Sequence, residues 1–344
     1  MEMFVAWYTG DSEYQSIDVN CSVLVSLTNV SKKWTAQKWH FPPRKLIVAS
    51  GRPEKRGHLG LTSIDQILSA QLKLTANLER DAFLCYPDFP LPRKIVSVAH
   101  AREMLEKNLK NADSYYAKFE AKRSEFPNFV PLGIIHGYDY DSLVNMAKQL
   151  RKIGYKHFAL GSQEAKSRLD RGTIASFVET LLKVVGYLHI LGVTSSDLFS
   201  GYLPTGIHSI DSATPVKEAF TNGIYFSNPI RRFKICTERL NVNWIQEWGY
   251  ASLVCSPFFE SSCGKLCKDV DEKFRERIVR YDSLPECGCP VCKKLGVVEG
   301  LLRVGSKKYN NRRALHNYFH MKKEFQLMLD NPFLERIASI DYVI

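Results

Sequence analysis

The stretch "FVPLGIIHGYDYDSLVNMAKQLRKIGYKHFALGS", residues 129–162, sets the architecture of the chain. It opens on a short apolar run, 129–137, that ends in His136 and Gly137. After a polar break, Leu143, Val144, Met146, Ala147, Leu150 and Ile153 recur at helical spacing. Asp141 is the expected N-cap of that helix, and Gly154 stands at its C-terminal end. A second apolar run, 157–162, closes the unit. Strand, helix and strand at this spacing form the crossover that joins parallel strands.

The same rhythm extends in both directions. "KLIVAS" (45–50) and "AFLCYP" (82–87) come before, and "LHILGV" (188–193) and "SIDSAT" (209–214) come after. "RGTIASFVETLLKVVG" (171–186) supplies another amphipathic run. Repeated strand–helix alternation argues for a parallel sheet covered by helices. Two architectures compete, an open doubly wound sheet and a closed (β/α)8 TIM-type barrel. No G-x-G-x-x-G follows an early strand, and six runs in one series fit the barrel better. Barrel enzymes react substrates at the strand C-terminal ends. The polar residues and glycines that end the runs are therefore candidates: Ser50, Asp88, His136, Gly161, Gly192 and Asp211.

Residues 1–44 break the rhythm. "MEMFVAWYT" and "CSVLVSLTNV" are β-like, whereas "SKKWTAQKWH" (31–40) is basic and aromatic. The expected division is an N-terminal β cap over 1–44, the barrel over 45–254, and a zinc-binding subdomain with closing elements over 255–344. Lys32, Lys33, Lys38, Trp34 and Trp39 read as a basic–aromatic patch that could stack an unpaired base, or as a solvated charged face.

The chain of 344 residues carries a formal charge of +11, which favours a polyanionic partner, nucleic acid first. No apolar run reaches the ~18 residues of a membrane span, and the N-terminus lacks a signal-peptide pattern. The expectation is a soluble, cytoplasmic protein with no membrane partner. Nine cysteines in that setting read as reduced thiols or metal ligands.

"ECGCPVCKKLG" (286–296) packs Cys287, Cys289 and Cys292 together. C-x2-C is a hairpin spacing for two thiolates on one zinc ion, and C-x-C can bring a third. The alternative is clustered or redox-active thiols. "RRALHNYFHMKKE" (312–324) offers His316 and His320, and His316 lies on the apolar stripe with Leu315 and Phe319. The expected site is a closed structural Zn2+ held by Cys287, Cys289, Cys292 and His316. Cys263 and Cys267 form a separate C-x3-C pair. Cys21, Cys85, Cys236 and Cys255 read as small core residues.

This combination of βα units and a late C-x-C-x2-C…His cluster in "ALHNY" resembles the tRNA-guanine transglycosylase superfamily. "YPDFPLP" is similar to the family's Asp-containing motif, "PLGIIHGYDYDSL" to its G-I-V-Q-G-G segment, and "FALGS" to its A-I-G-G stretch. "LHILGVTSSDL" and "HSIDSATP" look like its Y-L-M-G-V-G and nucleophile strands. The resemblance runs from about residue 45 to 325.

It implies base exchange at a glycosidic bond, with Asp211 as nucleophile and Asp88 as the carboxylate that recognises the base. Ser50, Gly51, Asp88, His136, Gly161, Leu191 and Gly192 would bind the base.

Two departures stand out. Ala49 occupies the place of the family's acid/base carboxylate, leaving Glu54, His58, Asp88 or water to move the proton. "ATPVKEAFTNG" (213–223) lacks the family's Arg, which turns the reading away from tRNA. The departures point to the DNA-modifying, DpdA-type branch: a DNA-guanine transglycosylase inserting a preQ0-type 7-deazaguanine, bacterial or phage-borne. The tRNA enzyme and a catalytically silent nucleic-acid-binding barrel are the alternatives, and a homodimer is left open. Lys217, Lys293, Lys294, Arg303, Lys307, Lys308, Arg312 and Arg313 are the expected contacts to phosphate.

Overall fold

Eight short parallel strands close on themselves in the computed structural model. The structure describes residues 1–8, 13–31, 34, 38–51, 53–76, 78, 80–92, 97–161, 171–193, 206–227, 231–237, 251–258 and 278–330. The barrel strands are β1 (Glu2–Trp7), β2 (Ser22–Ser26), β3 (Leu46–Ala49), β4 (Ala82–Cys85), β5 (Phe129–Ile135), β6 (His157–Leu160), β7 (Tyr187–Ile190) and β8 (Ser209–Ser212). Each pairs with the next, and β1 pairs with β8 with Phe4 opposite Asp211. These strands read as nearly continuous apolar runs because both faces of a parallel barrel strand are buried. Helices α1 (Pro53–His58), α2 (Ile64–Thr75), α3 (Val98–Glu120), α4 (Tyr140–Ile153) and α5 (Arg171–Val184) occupy the crossovers.

All six apolar runs read from the sequence are barrel strands. Two boundaries differ. The stretch expected as a β cap supplies β1 and β2, the first two staves of the barrel. Its described crossover residues hold only single 3-10 turns, at Tyr14–Ser16 and Leu27–Asn29, so no amphipathic helix marked these units. The barrel is also complete at Ser212 rather than near 254. The chain divides into two compact units, Met1–Ala213 and Thr214–Ile344.

A smaller difference concerns α4. Its N-cap is Asp139, whose side chain accepts from the Ser142 N–H at 2.8 Å in a reciprocal capping box, whereas Asp141 sits in the first turn. Trp34 and Trp39 also differ from the expected stacking patch. They pack on Trp7 at centroid separations of 4.9 and 4.6 Å and on each other at 5.5 Å, and Trp39 is buried. Lys38 is exposed, while Lys32 and Lys33 lie outside the described residues.

The second unit contains a small sheet of β9 (Gly223–Phe226), β10 (Arg231–Ile235), β11 (Ala251–Cys255) and β12 (Ile278–Arg280), in the order β12-β11-β10-β9. Its described helices are α6 (Thr214–Phe220), α7 (Pro290–Leu295), α8 (Val297–Leu301) and α9 (Lys307–Asp330). Ile224, Phe226, Phe233, Ile235, Val254, Leu301 and Leu302 form its core together with Cys289 and Cys292. Cys21, Cys85 and Cys236 are buried free thiols, as expected, and Cys255 is disulfide-bonded instead. Among the described residues no helix is long and apolar enough to cross a membrane.

Candidate active site and metal centre

Asp211 sits near the C-terminal end of β8 and is buried to 5% exposure. A carboxylate there needs donors in place of water. It has two, both on Oδ1: the Gly192 N–H at 2.9 Å and His189 Nε2 at 3.1 Å. Gly192 reaches this position with φ +71°, a conformation open to glycine. Oδ2 has no hydrogen-bond partner among the described residues. His189 is fully buried on β7, edge-on to Phe4 at 5.6 Å. Its Nδ1 lies 2.8 Å from Ser209 Oγ, which lies 2.7 Å from the Tyr187 hydroxyl.

A second cluster forms past β4. Asp88 Oδ2 is 2.8 Å from His136 Nε2, and Ser50 Oγ donates to Asp88 Oδ1 at 3.4 Å. Arg56 braces the group from α1. Its guanidinium donates to Ser50 Oγ at 3.0 Å, to the Gly51 carbonyl at 2.6 Å and to the Asp88 carbonyl at 3.2 Å. Gly51 has φ +83°, and a Cβ there would strike Thr28. The structure thus brings Ser50, Gly51, Asp88 and His136 together. Ala49 ends β3 beside them. The side chains of Glu54 and His58 lie outside the described residues.

Gly161 differs in detail from its expected place under the base. A Cβ added to it would lie 2.5 Å from His136 Cε1, so the glycine makes room for the imidazole. Leu191 is half-buried beside Gly192. Both carboxylates act on one buried thiol. Burial pushes the Cys85 thiol well up, and Asp88 and then Asp211 add to the shift. Arg56, His189, Ser209 and Tyr187 went unnamed in the sequence reading. His189 did leave a signal, a polar residue inside the apolar run "LHILGV".

In the second unit, Cys287, Cys289, Cys292 and His316 place one ligand atom each within 4.8 Å of one another. His316 Nδ1 lies 3.6, 3.4 and 3.6 Å from the three sulfurs in that order. A tetrahedral zinc with bonds of about 2.3 Å to sulfur and 2.0 Å to nitrogen sets S···N at about 3.5 Å. The donor set fits the ion. Local sequence explains the fit. Cys289 caps α7, Pro290 starts it, and the Cys289 and Cys292 N–H groups donate to Cys287 and Cys289 sulfurs at 3.4 Å.

Hydrogen bonds from Cys287 and Cys292 hold the Cys289 thiol far below its ordinary range, and His316 adds to this. His320, the other candidate, places Nε2 3.1 Å from Cys287 alone, while its Nδ1 accepts from the Ser227 N–H at 3.1 Å.

The basic residues separate into two kinds. Lys217, Lys293, Lys294, Lys307 and Lys308 are exposed. Arg303 chelates Glu299 at 2.8 and 3.0 Å and covers the Phe258 ring, and Arg312 lies over Tyr309. Arg313 is a correction. It is fully buried, donating to the Ala219, Leu301 and Arg303 carbonyls and to Asn222 and Asn310 Oδ1. A guanidinium spent on five protein acceptors has no free fork for a phosphate.

No family model matches the chain. A curated relative, the DNA-guanine transglycosylase of Salmonella montevideo, is 29% identical over 98 residues. The match covers 28% of this chain and 24% of that protein, so it spans about a quarter of the relative's length. Closed parallel barrel, Cys3His cluster and partial match together support the guanine transglycosylase superfamily as the one this chain resembles.

Proposed function

We propose that the chain exchanges guanine in DNA for a 7-deazaguanine base through a covalent Asp211–deoxyribose intermediate. The observation that carries this reading is the one-sided hold on Asp211. Both donors take Oδ1, which leaves Oδ2 as the oxygen for in-line attack. Oδ2 bonds to C1′ as the C1′–N9 bond breaks, and the bond pair leaves with guanine. The incoming base then attacks C1′ through N9 and frees the carboxylate. Its N9 proton balances the one guanine takes up. With Ala49 in the acid/base place, that proton travels through the Asp88–His136 pair or through water.

Asp88 accepts from the N1–H and exocyclic amine of a guanine-like edge, since an ionised carboxylate offers only acceptors. His136 and Ser50 aim it, with Gly51, Gly161, Leu191 and Gly192 shaping the pocket around the base. Zinc, when bound by Cys287, Cys289, Cys292 and His316, supplies a structural cross-link with no open position for chemistry. The exposed Lys217, Lys293, Lys294, Lys307 and Lys308, with Arg303 and Arg312, hold phosphates without reading sequence. The reacting base leaves the duplex stack to reach the barrel.

The test is nucleoside mass spectrometry after incubating DNA, and separately tRNA, with the protein and a 7-deazaguanine base. Incorporation into DNA that Asp211→Ala abolishes is expected. Incorporation only into tRNA would overturn the choice of substrate.

A further inference from the structure

The chain Tyr187–Ser209–His189–Asp211, buried except for half-buried Tyr187, runs along the paired strands β7 and β8 from their start toward their C-terminal ends. None of these links is needed to build the sheet, and buried polar groups on barrel strands are costly unless every proton is placed. Their protons admit one consistent arrangement when Asp211 is ionised and His189 is neutral. An ionised carboxylate only accepts, so His189 Nε2 carries a hydrogen. A neutral imidazole then accepts at Nδ1, so the Ser209 hydroxyl donates there across 2.8 Å. That uses the single Ser209 proton, so the Tyr187 hydroxyl donates to Ser209 across 2.7 Å.

We propose that His189 is a positioning residue for the nucleophile, locked as its Nε2–H tautomer by Ser209 and Tyr187. It holds Oδ1 jointly with Gly192 and so selects Oδ2 as the attacking oxygen. The inference rests on the reading of Asp211 as the nucleophile. The opposite tautomer would leave an imidazole lone pair facing the carboxylate and leave Oδ1 held by the Gly192 N–H alone.

Two readouts test it. The first does not depend on activity: long-range proton–nitrogen NMR of the full chain with nitrogen-15 histidine, His189 assigned by comparison with His189→Gln. A protonated Nε2 and bare Nδ1 are expected, and a protonated Nδ1 overturns the proposal. The second is kinetic. Ser209→Ala should lower kcat by about 10- to 100-fold, the usual effect of losing an orienting partner, with KM for the incoming base unchanged. Ser209→Thr, which keeps the hydroxyl, should restore it. Wild-type kcat in folded Ser209→Ala overturns the proposal. A wild-type protein with the expected tautomer and no base exchange would instead sink the functional reading.

Discussion

Arg313→Ala separates a structural arginine from a phosphate contact. The guanidinium makes five hydrogen bonds within the second unit, to the ends of α6 and α8 and to neighbouring loop and helix residues. Hydrogen bonds from a charged donor contribute about 1.5 kcal/mol each, so the set contributes about 7 kcal/mol. Burial opposes this and holds the guanidinium down to about 10. Five bonds from one group do not add fully, so the loss on truncation is about 4 kcal/mol, in the range of breaking a buried charged network. Equilibrium urea unfolding of the full chain should show a transition moved to lower urea by that amount. Arg313→Lys should lose about half as much, since an ammonium cannot span five fixed acceptors. The reasoning is refuted if Arg313→Ala keeps its stability while the salt dependence of DNA binding falls by about one charge.

Three further outcomes follow from the same geometry. Asp88→Asn turns an amide N–H toward the donor edge of the base and should raise KM for the incoming base about 10- to 100-fold, read by steady-state exchange of labelled guanine. Gly161→Ala drives the His136 ring off Asp88, and should reduce incorporation while leaving zinc content unchanged. Cys289→Ser removes the central thiolate. Atomic absorption should then fall from about one zinc per chain to near none, with loss of the second unit's melting transition. Retention of full zinc would count against the four-ligand site.

Much of the fold was legible because a parallel barrel writes itself as apolar runs separated by amphipathic ones. Residues 129–162 carried that pattern fully, with α4 between β5 and β6. β1 and β2 were equally apolar, yet no α-helix follows either among the described residues, so they looked like a cap. Three of the four candidate metal ligands were legible from local spacing, since Cys287, Cys289 and Cys292 must meet wherever the chain folds. Asp88 and Asp211 were legible only as polar ends of strands.

Their partners were not, because His189 meets Asp211 through pairing of β7 with β8, and Arg56 reaches Asp88 across a crossover. The burial of Arg313 is written in the helical pattern. Residues 313, 316, 317 and 320 fall on one helical face, and that face carries the buried His316. Its neighbour Arg312 points elsewhere and stays half-exposed.

The proposed chemistry at Asp211 is tested most directly by an attempt to trap the covalent intermediate it requires. Guanine-containing DNA is incubated with the protein in the absence of an incoming base, denatured, and resolved on a gel. A protein–DNA adduct should form with the wild type, should map to Asp211 by peptide mass spectrometry, and should be absent from Asp211→Asn. An adduct at another residue, or base exchange that survives Asp211→Asn, would contradict it.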